Sequence, residues 1–134
     1  MKKDMHYCLS CGQALDGNRK YCDTHCQMEF QYKQYIERWK NGLEDGLRGE
    51  YQVSLHIRRY LFDKYNNRCA MCGWGEMNIW TGCIPLEIHH IDGDYTNNVE
   101  SNLTLLCPNC HSLTETYKAL NKNGRVDRKK YYNQ

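Results

Sequence analysis

Residues 86–94 read Leu-Glu-Ile-His-His-Ile-Asp-Gly-Asp, and residues 107–111 read Cys-Pro-Asn-Cys-His. These two segments decide the fold of the second half of the chain. A short strand is predicted over 85–90, followed by turn-forming residues, and a second strand is predicted over 103–106. The proline near a helix start then favours a helix over 109–120. Two strands and a helix in this order predict a ββα unit.

The ββα unit would gather His89, His90 and His111 at neighbouring element ends, which is half of the six histidines in the chain. A single histidine is most often structural, but three in this arrangement favour chemistry. Two imidazoles can hold a catalytic ion and leave coordination positions for water and phosphate. The third can act as a general base, because the pKa of imidazole lies near neutrality.

Cysteine spacing supplies a frame around this unit. Eight of the nine cysteines form close pairs separated by two or three residues. Two thiolates at this spacing can turn onto one tetrahedral ion, so two pairs make a closed four-cysteine zinc site. Disulfides are the alternative, but they suit secreted chains, and the charged first residues lack the apolar segment of a signal peptide. The cysteines therefore predict two structural zinc sites.

Proximity along the chain predicts how the pairs combine. The first predicted zinc site consists of Cys8, Cys11, Cys22 and Cys26. His25 is an alternative ligand to Cys26, which we favour. The second predicted zinc site consists of Cys69, Cys72, Cys107 and Cys110. Gly12 and Gly73 follow the second cysteine of their pairs, where a tight turn commonly needs positive φ. The ninth cysteine, Cys83, is predicted to be a small buried hydrophobe.

Three segments are predicted along the chain. Residues 1–50 would form an N-terminal zinc-binding unit with an amphipathic helix and a glycine-rich linker. Residues 51–121 would hold the ββα unit with its four-cysteine zinc site. Residues 122–134 form a basic tail. The predicted fold class is therefore α+β.

Two helices are predicted before the ββα unit. Over 27–40, large side chains recur at three- and four-residue steps and predict a buried face of Met28, Tyr32, Tyr35 or Ile36, and Trp39. Ser54 is the predicted N-cap of a second helix over about 54–65. Arg58 and Arg59 on this helix are candidates for phosphate contact, and a solvated helix face explains them at least as well.

The composition is that of a globular protein, because 40% of the 134 residues are hydrophobic and 25% are charged. No apolar run approaches the roughly 18 residues of a membrane span, and we expect a cytosolic protein. The formal net charge of +2 excludes a wholesale polyanion binder. Positive charge is concentrated in the tail, which holds four further candidates for nucleic-acid binding: Arg125, Arg128, Lys129 and Lys130.

Four separated segments carry a resemblance to a known family. The Cys69–Cys72 knuckle, the His89-His90 segment, Asn102-Leu103 and the segment 107–111 together closely resemble the HNH endonuclease family, of the ββα-metal type. The match covers about residues 66–120, and its motifs stand in the right order within the right zinc frame. The first half of the chain more loosely resembles the N-terminal zinc unit of small phage-encoded HNH proteins. The resemblance implies a small zinc-stabilised HNH domain preceded by a four-cysteine zinc unit and helices.

The resemblance also implies a role for each motif residue. His89 matches the first ligand of the catalytic metal, and His111 matches the second. His90 matches the general base, and Asn102 matches the asparagine that braces the loop so that the base stays oriented. Colicin-type members carry a further histidine where this chain has Glu115, at i+4 from His111 on the predicted helix. Glu115 is thus a candidate third ligand, and a solvated side chain is an equal alternative.

The reaction implied by the resemblance is metal-assisted hydrolysis of a DNA phosphodiester bond. His90, held neutral, would take a proton from the attacking water, and one divalent ion would neutralise charge at phosphorus and at the leaving oxygen. The products would carry 5′-phosphate and 3′-hydroxyl ends. An oxygen-rich shell with two histidines favours Mg²⁺ or Mn²⁺. The closed four-cysteine zinc sites would serve structure alone.

Two other function classes account for part of the sequence. One is a non-catalytic zinc-finger module that binds nucleic acid, and the other is an interaction adaptor built on zinc knuckles. Both leave the arrangement of the three histidines unexplained. The sequence leaves open whether one or two DNA strands are cut and which site is recognised. A monomer or weak homodimer is expected, located in the host-cell cytoplasm if the chain is phage-encoded.

Overall fold

The computed structural model describes residues 5–117. This part of the chain has a small mixed α+β fold, which confirms the predicted class. Its elements are three antiparallel strand pairs and three α-helices, in this order: β1 (His6–Tyr7), β2 (Ala14–Leu15), α1 (Thr24–Lys40), β3 (Leu47–Arg48), β4 (Gln52–Val53), α2 (Leu55–Lys64), β5 (Glu87–His90), β6 (Leu103–Leu106) and α3 (Pro108–Ser112). None of the helices among these residues is long and apolar enough to cross a membrane. The predicted basic tail, with Arg125, Arg128, Lys129 and Lys130, lies outside the described residues.

Both predicted N-terminal helices form. Helix α1 begins three residues earlier than predicted, because the Asp23 side chain caps it by accepting a hydrogen bond from the Cys26 backbone N–H at 2.8 Å. Helix α2 has the predicted N-cap, since the Ser54 hydroxyl accepts from the His56 backbone N–H at 3.2 Å. Side-chain caps of this kind satisfy backbone donors that the helix itself leaves without partners.

The two helices share one hydrophobic core with strand β6. The buried members are Ile36, Trp39, Ile57, Leu61 and Leu103. Tyr32 and Tyr35 line this core as predicted, but Met28 remains 60% exposed and lies off the buried face. The division of the chain at residue 50 stays a prediction, and helices from both sides of that point contribute to this core.

Strands β5 and β6 pair in antiparallel register, with His89 opposite Thr104 and His90 opposite Leu103. Residues of both strands and their flanks contribute to a second core of Leu86, Leu105 and Leu106, beside Cys69 and Cys107. Helix α3 contacts both strands and completes the ββα order.

Helix α3 is shorter than predicted, and the helix predicted over 109–120 is wrong in its extent. It ends at Ser112, and residues 113–117 form turns. The Thr114 hydroxyl donates to the His111 carbonyl oxygen at 2.9 Å, a local hydrogen bond that competes with further helix. Residues 118–120 lie outside the described part.

The prediction that Cys83 is buried is also wrong, because its side chain is exposed. Cys83 closes a tight turn, in which the Asn78 backbone N–H donates to the Cys83 carbonyl at 2.8 Å. The Asn78 side chain accepts from the backbone N–H groups of Trp80 and Thr81. This segment folds on its own hydrogen bonds outside both cores, so a small apolar side chain there has no interior to enter.

Candidate active site and metal centres

The first four-cysteine cluster lies between the β1–β2 turn and the start of α1. Its four sulfur atoms lie within 4.8 Å of one another and belong to Cys8, Cys11, Cys22 and Cys26. Cys26, rather than His25, completes the cluster, because its sulfur lies within 4.8 Å of the other three sulfurs. The Gly12 backbone N–H donates to the Cys8 carbonyl at 2.9 Å, and Gly12 has the predicted positive φ of +79°.

The second cluster joins the knuckle after α2 to the start of α3. Its sulfurs also lie within 4.8 Å of one another and belong to Cys69, Cys72, Cys107 and Cys110. The sulfurs of Cys72 and Cys107 are 3.7 Å apart, close to the edge of about 3.8 Å expected for a tetrahedron with zinc–sulfur bonds of about 2.3 Å. Gly73 has the predicted positive φ, at +78°. Both clusters therefore fit structural zinc.

Thiol electrostatics in both clusters also fit a divalent cation. Burial of the Cys8 sulfur opposes ionisation, but backbone N–H groups, including that of Cys11, outweigh it and lower the pKa of Cys8 to about 6. A hydrogen bond with the Cys11 sulfur, burial and neighbouring thiolate charge raise the pKa of Cys22 to about 12. The second cluster repeats this pattern, with the pKa of Cys69 lowered to about 6 and that of Cys110 raised to about 12. Four thiolates repel one another at this range, and a bound divalent ion removes that repulsion.

At the ββα unit, the structure brings His89 and His111 together. Their ring centroids lie 5.1 Å apart, with the rings edge to face. His89 projects from β5 and His111 from α3, so the contact depends on the packing of helix on strands. Glu87 also belongs to this group, because one of its carboxylate oxygens forms a hydrogen bond with Nδ1 of His111. Glu87 and His89 are two residues apart on β5 and therefore share a face of the strand.

His89 is buried, with 8% of its surface exposed. Burial lowers its pKa, and the nearby charges of His111 and His90 lower it further. A neutral imidazole is the form that binds a metal ion. The pair of imidazoles, with a carboxylate behind one of them, thus fits a divalent cation.

His90 lies on the other side of β5 and has a partner of its own. Its Nε2 and the Asn98 side-chain oxygen are 2.7 Å apart. Asn98 is buried and touches the first half of the chain. Its backbone carbonyl accepts from Trp39 Nε1 at 2.6 Å, and its side-chain nitrogen donates to the Asp45 carbonyl at 3.3 Å.

Asn102 holds the loop between β5 and β6. Its side-chain oxygen accepts from the Asp92 backbone N–H at 3.0 Å, and its nitrogen donates to Asp92 Oδ1 at 2.9 Å and to the Asn97 carbonyl at 2.8 Å. Burial of Asp92 opposes ionisation, but hydrogen bonds from Asn97, the Asp94 backbone and Asn102 together lower its pKa. The loop after His90 is therefore closed by short polar contacts.

The surroundings of three further predicted site residues are as follows, and their roles in binding stay predictions. Glu115 falls beyond the end of α3 and is exposed, so the helix-face argument that placed it beside His111 is wrong. Arg59 is paired with Glu29 at 2.8 Å and stacks on Tyr32, with its guanidinium carbon 4.0 Å from the ring centroid. Arg58 lies over the Phe62 ring and reaches the Leu86 carbonyl.

Two residues of the site were missed at the sequence level. Glu87 could have been found, because a carboxylate two residues before a histidine on a predicted strand shares its face. Asn98 carried no such signal. Two of its three partners, Trp39 and Asp45, lie more than 50 positions away along the chain.

One curated relative supports the sequence resemblance. The chain is 35% identical over 92 residues to the H-N-H endonuclease F-TflIV of Escherichia phage T5. The match covers 66% of this chain and 39% of that protein. No family model matches the chain, and no solved structure matches it. The relative confirms the resemblance stated from the motifs.

Proposed function

We propose that this chain, as a relative of the HNH endonucleases, hydrolyses phosphodiester bonds of DNA with the help of a divalent ion. The contact between His89 and His111 is the observation that carries the proposal. Both side chains sit on a ββα unit whose helix starts at a four-cysteine cluster, and the resemblance assigns the same two positions to metal binding. The phage origin of the relative supports action in the cytoplasm of a host cell.

His89 and His111 are proposed to hold the ion, and His90 is proposed as the general base. Asn102 is proposed to keep the loop after His90 in place through its three hydrogen bonds. Glu87 is proposed to orient His111, because a carboxylate on one ring nitrogen fixes the other nitrogen as the ligand atom. When bound, the ion supplies positive charge to a phosphate oxygen and to the leaving oxygen.

The proposed ion is Mg²⁺ or Mn²⁺, since two histidines and a nearby carboxylate leave most ligand positions to water and phosphate oxygens. The proposed products carry 5′-phosphate and 3′-hydroxyl ends. The four-cysteine clusters are proposed to bind zinc and to leave no position open for substrate. Glu115 keeps a weaker claim as a third ligand, because its support from helix spacing is gone.

A plasmid assay tests the proposal. Zinc-loaded protein is incubated with supercoiled plasmid or phage genomic DNA and Mg²⁺ or Mn²⁺, with and without EDTA. Metal-dependent nicking or linearisation is expected for the wild type and should be lost in His90→Ala. His25→Ala is the matched control, because His25 is exposed and lies outside the proposed site.

The binding-module alternative predicts a different result. DNA would be shifted in a gel by both the wild type and His90→Ala, and neither would cut it with any divalent ion. Cleavage that survives in His90→Ala would instead refute the assigned base. The ratio of nicked to linear product distinguishes cutting of one strand from cutting of two.

A further inference from the structure

The hydrogen bond between His90 and Asn98 defines which ring nitrogen carries the proton. The Asn98 amide faces the Asp45 carbonyl on one side, and a carbonyl oxygen can only accept. The amide nitrogen must therefore point to Asp45, and the amide oxygen must point to His90. Because that oxygen can only accept, His90 Nε2 must be the donor across the 2.7 Å contact. In a neutral ring, the lone pair is then on Nδ1.

The first half of the chain holds Asn98 in this position. Trp39 on α1 donates to the Asn98 backbone carbonyl at 2.6 Å, and the ring of Trp39 is itself in the shared core. The loop at Asp45 and Gly46 is anchored to the start of α2, because the Ser54 backbone N–H donates to the Gly46 carbonyl at 2.8 Å.

Gly46 also permits the close approach of this loop. A Cβ at this position would lie 2.7 Å from the Asn98 Cβ and 2.8 Å from Ile57 Cδ1. Asn98 is 4% exposed, so its amide is shielded from water that could replace either partner. The amide is therefore held from both sides by protein groups.

We propose that Asn98 is a positioning residue for His90: it fixes the proton on Nε2, presents Nδ1 as the basic nitrogen, and ties this orientation to Trp39 and Asp45. The inference rests on the proposed function, in which His90 takes a proton from water. The role proposed for Asn98 differs from that of Asn102. Asn102 holds the loop, and none of its described hydrogen bonds involves the His90 ring. The role of Asn98 also gives the first half of the chain a part in catalysis.

The test combines NMR with kinetics on the full-length, zinc-loaded protein. Long-range ¹H–¹⁵N spectra of the histidine rings identify the protonated nitrogen, with His90→Gln used to assign the signal. In the wild type, an exchange-protected proton on Nε2 is expected. In Asn98→Ala that protected signal should disappear, and kcat should fall tenfold or more with KM nearly unchanged. Asn98→Asp loses the donor to the Asp45 carbonyl but still accepts from Nε2, so it should keep the signal and more of kcat than alanine does.

Several results would overturn the inference. One is a wild-type His90 protonated on Nδ1, and another is a protected Nε2 proton that survives in Asn98→Ala. A third is equal loss of kcat in the alanine and aspartate variants, which would indicate a structural role alone. If Asn98→Ala fails to fold, the wild-type tautomer and the Asn98→Asp variant still decide the matter. If the wild type cleaves no DNA, the proposed function fails, and the NMR result separately decides the hydrogen-bond assignment.

Discussion

Replacing Glu87 with glutamine tests how the proposed metal site is built. The substitution keeps the shape of the side chain and removes the charge that faces His111 Nδ1. Loss of an outer partner of a metal-binding histidine typically weakens metal affinity by about 10- to 100-fold. Half of the Glu87 side chain is exposed, and water screens its charge, so we expect the lower end of that range. Glu87→Gln should therefore bind Mn²⁺ about 10-fold more weakly, or about 1.4 kcal/mol.

Electron paramagnetic resonance of free Mn²⁺ measures this affinity directly on zinc-loaded protein. Glu76→Gln is the matched control, because Glu76 is an exposed acid in the segment between the cysteine knuckles. Wild-type affinity in Glu87→Gln would refute the orienting role. A loss far beyond 100-fold would make Glu87 a direct ligand instead. Glu115→Gln, measured alongside, tests the weaker claim of that residue in the same way.

Three further predictions follow from the packing and the thiols. Gly46→Ala should lower the free energy of unfolding by about 2–4 kcal/mol in urea titrations, because the added methyl group is both crowded and in a left-handed backbone conformation. Gly42 has the same φ of +76° but open space around it, so Gly42→Ala should lower the free energy of unfolding by only the cost of that backbone conformation, about 1–2 kcal/mol. The raised pKa values of Cys22 and Cys110 keep both thiols protonated at pH 7 without a cation, so zinc uptake should release protons and zinc affinity should fall as the pH falls. Calorimetry in buffers of different ionisation enthalpy counts the released protons. A count of zero would contradict the assignment of these cysteines as zinc ligands. A chain lacking residues 1–50 loses Ile36 and Trp39 from the shared core, and its thermal unfolding followed by circular dichroism should not be cooperative. A cooperative transition in that fragment would argue for two independently folding units.

Short-range signals in the sequence predicted most of the fold. The turn-forming residues after His90 marked the end of the predicted strand β5, and β6 falls on the predicted residues. Ser54 gave the start of α2 through a local capping bond. The cysteine spacing predicted both clusters because the geometry of a tetrahedral ion is imposed within a few residues.

The failures share a physical cause, since each depended on contacts that spacing does not report. Helix α3 ended early through a hydroxyl bond at Thr114. The exposure of Cys83 follows from the turn in which it lies and not from the apolar character of its side chain. Asn98 was missed because two of its three partners, Trp39 and Asp45, come from distant parts of the chain.

The second cysteine cluster and the histidines are linked through one short helix. Cys107 is a cluster member, and its sulfur also accepts from the Cys110 backbone N–H at 3.4 Å as the cap of α3. The His111 backbone N–H in turn donates to the Cys107 carbonyl at 2.9 Å. A five-residue helix has too few internal hydrogen bonds to persist alone, so its geometry must come from what holds its ends. The orientation of His111 thus depends on the cluster, whereas that of His90 depends on Asn98 and the core of α1 and α2. The two halves of the proposed site thus have different supports on the two sides of strand β5, and Tyr65 and Ile88 pack against both cores and link them.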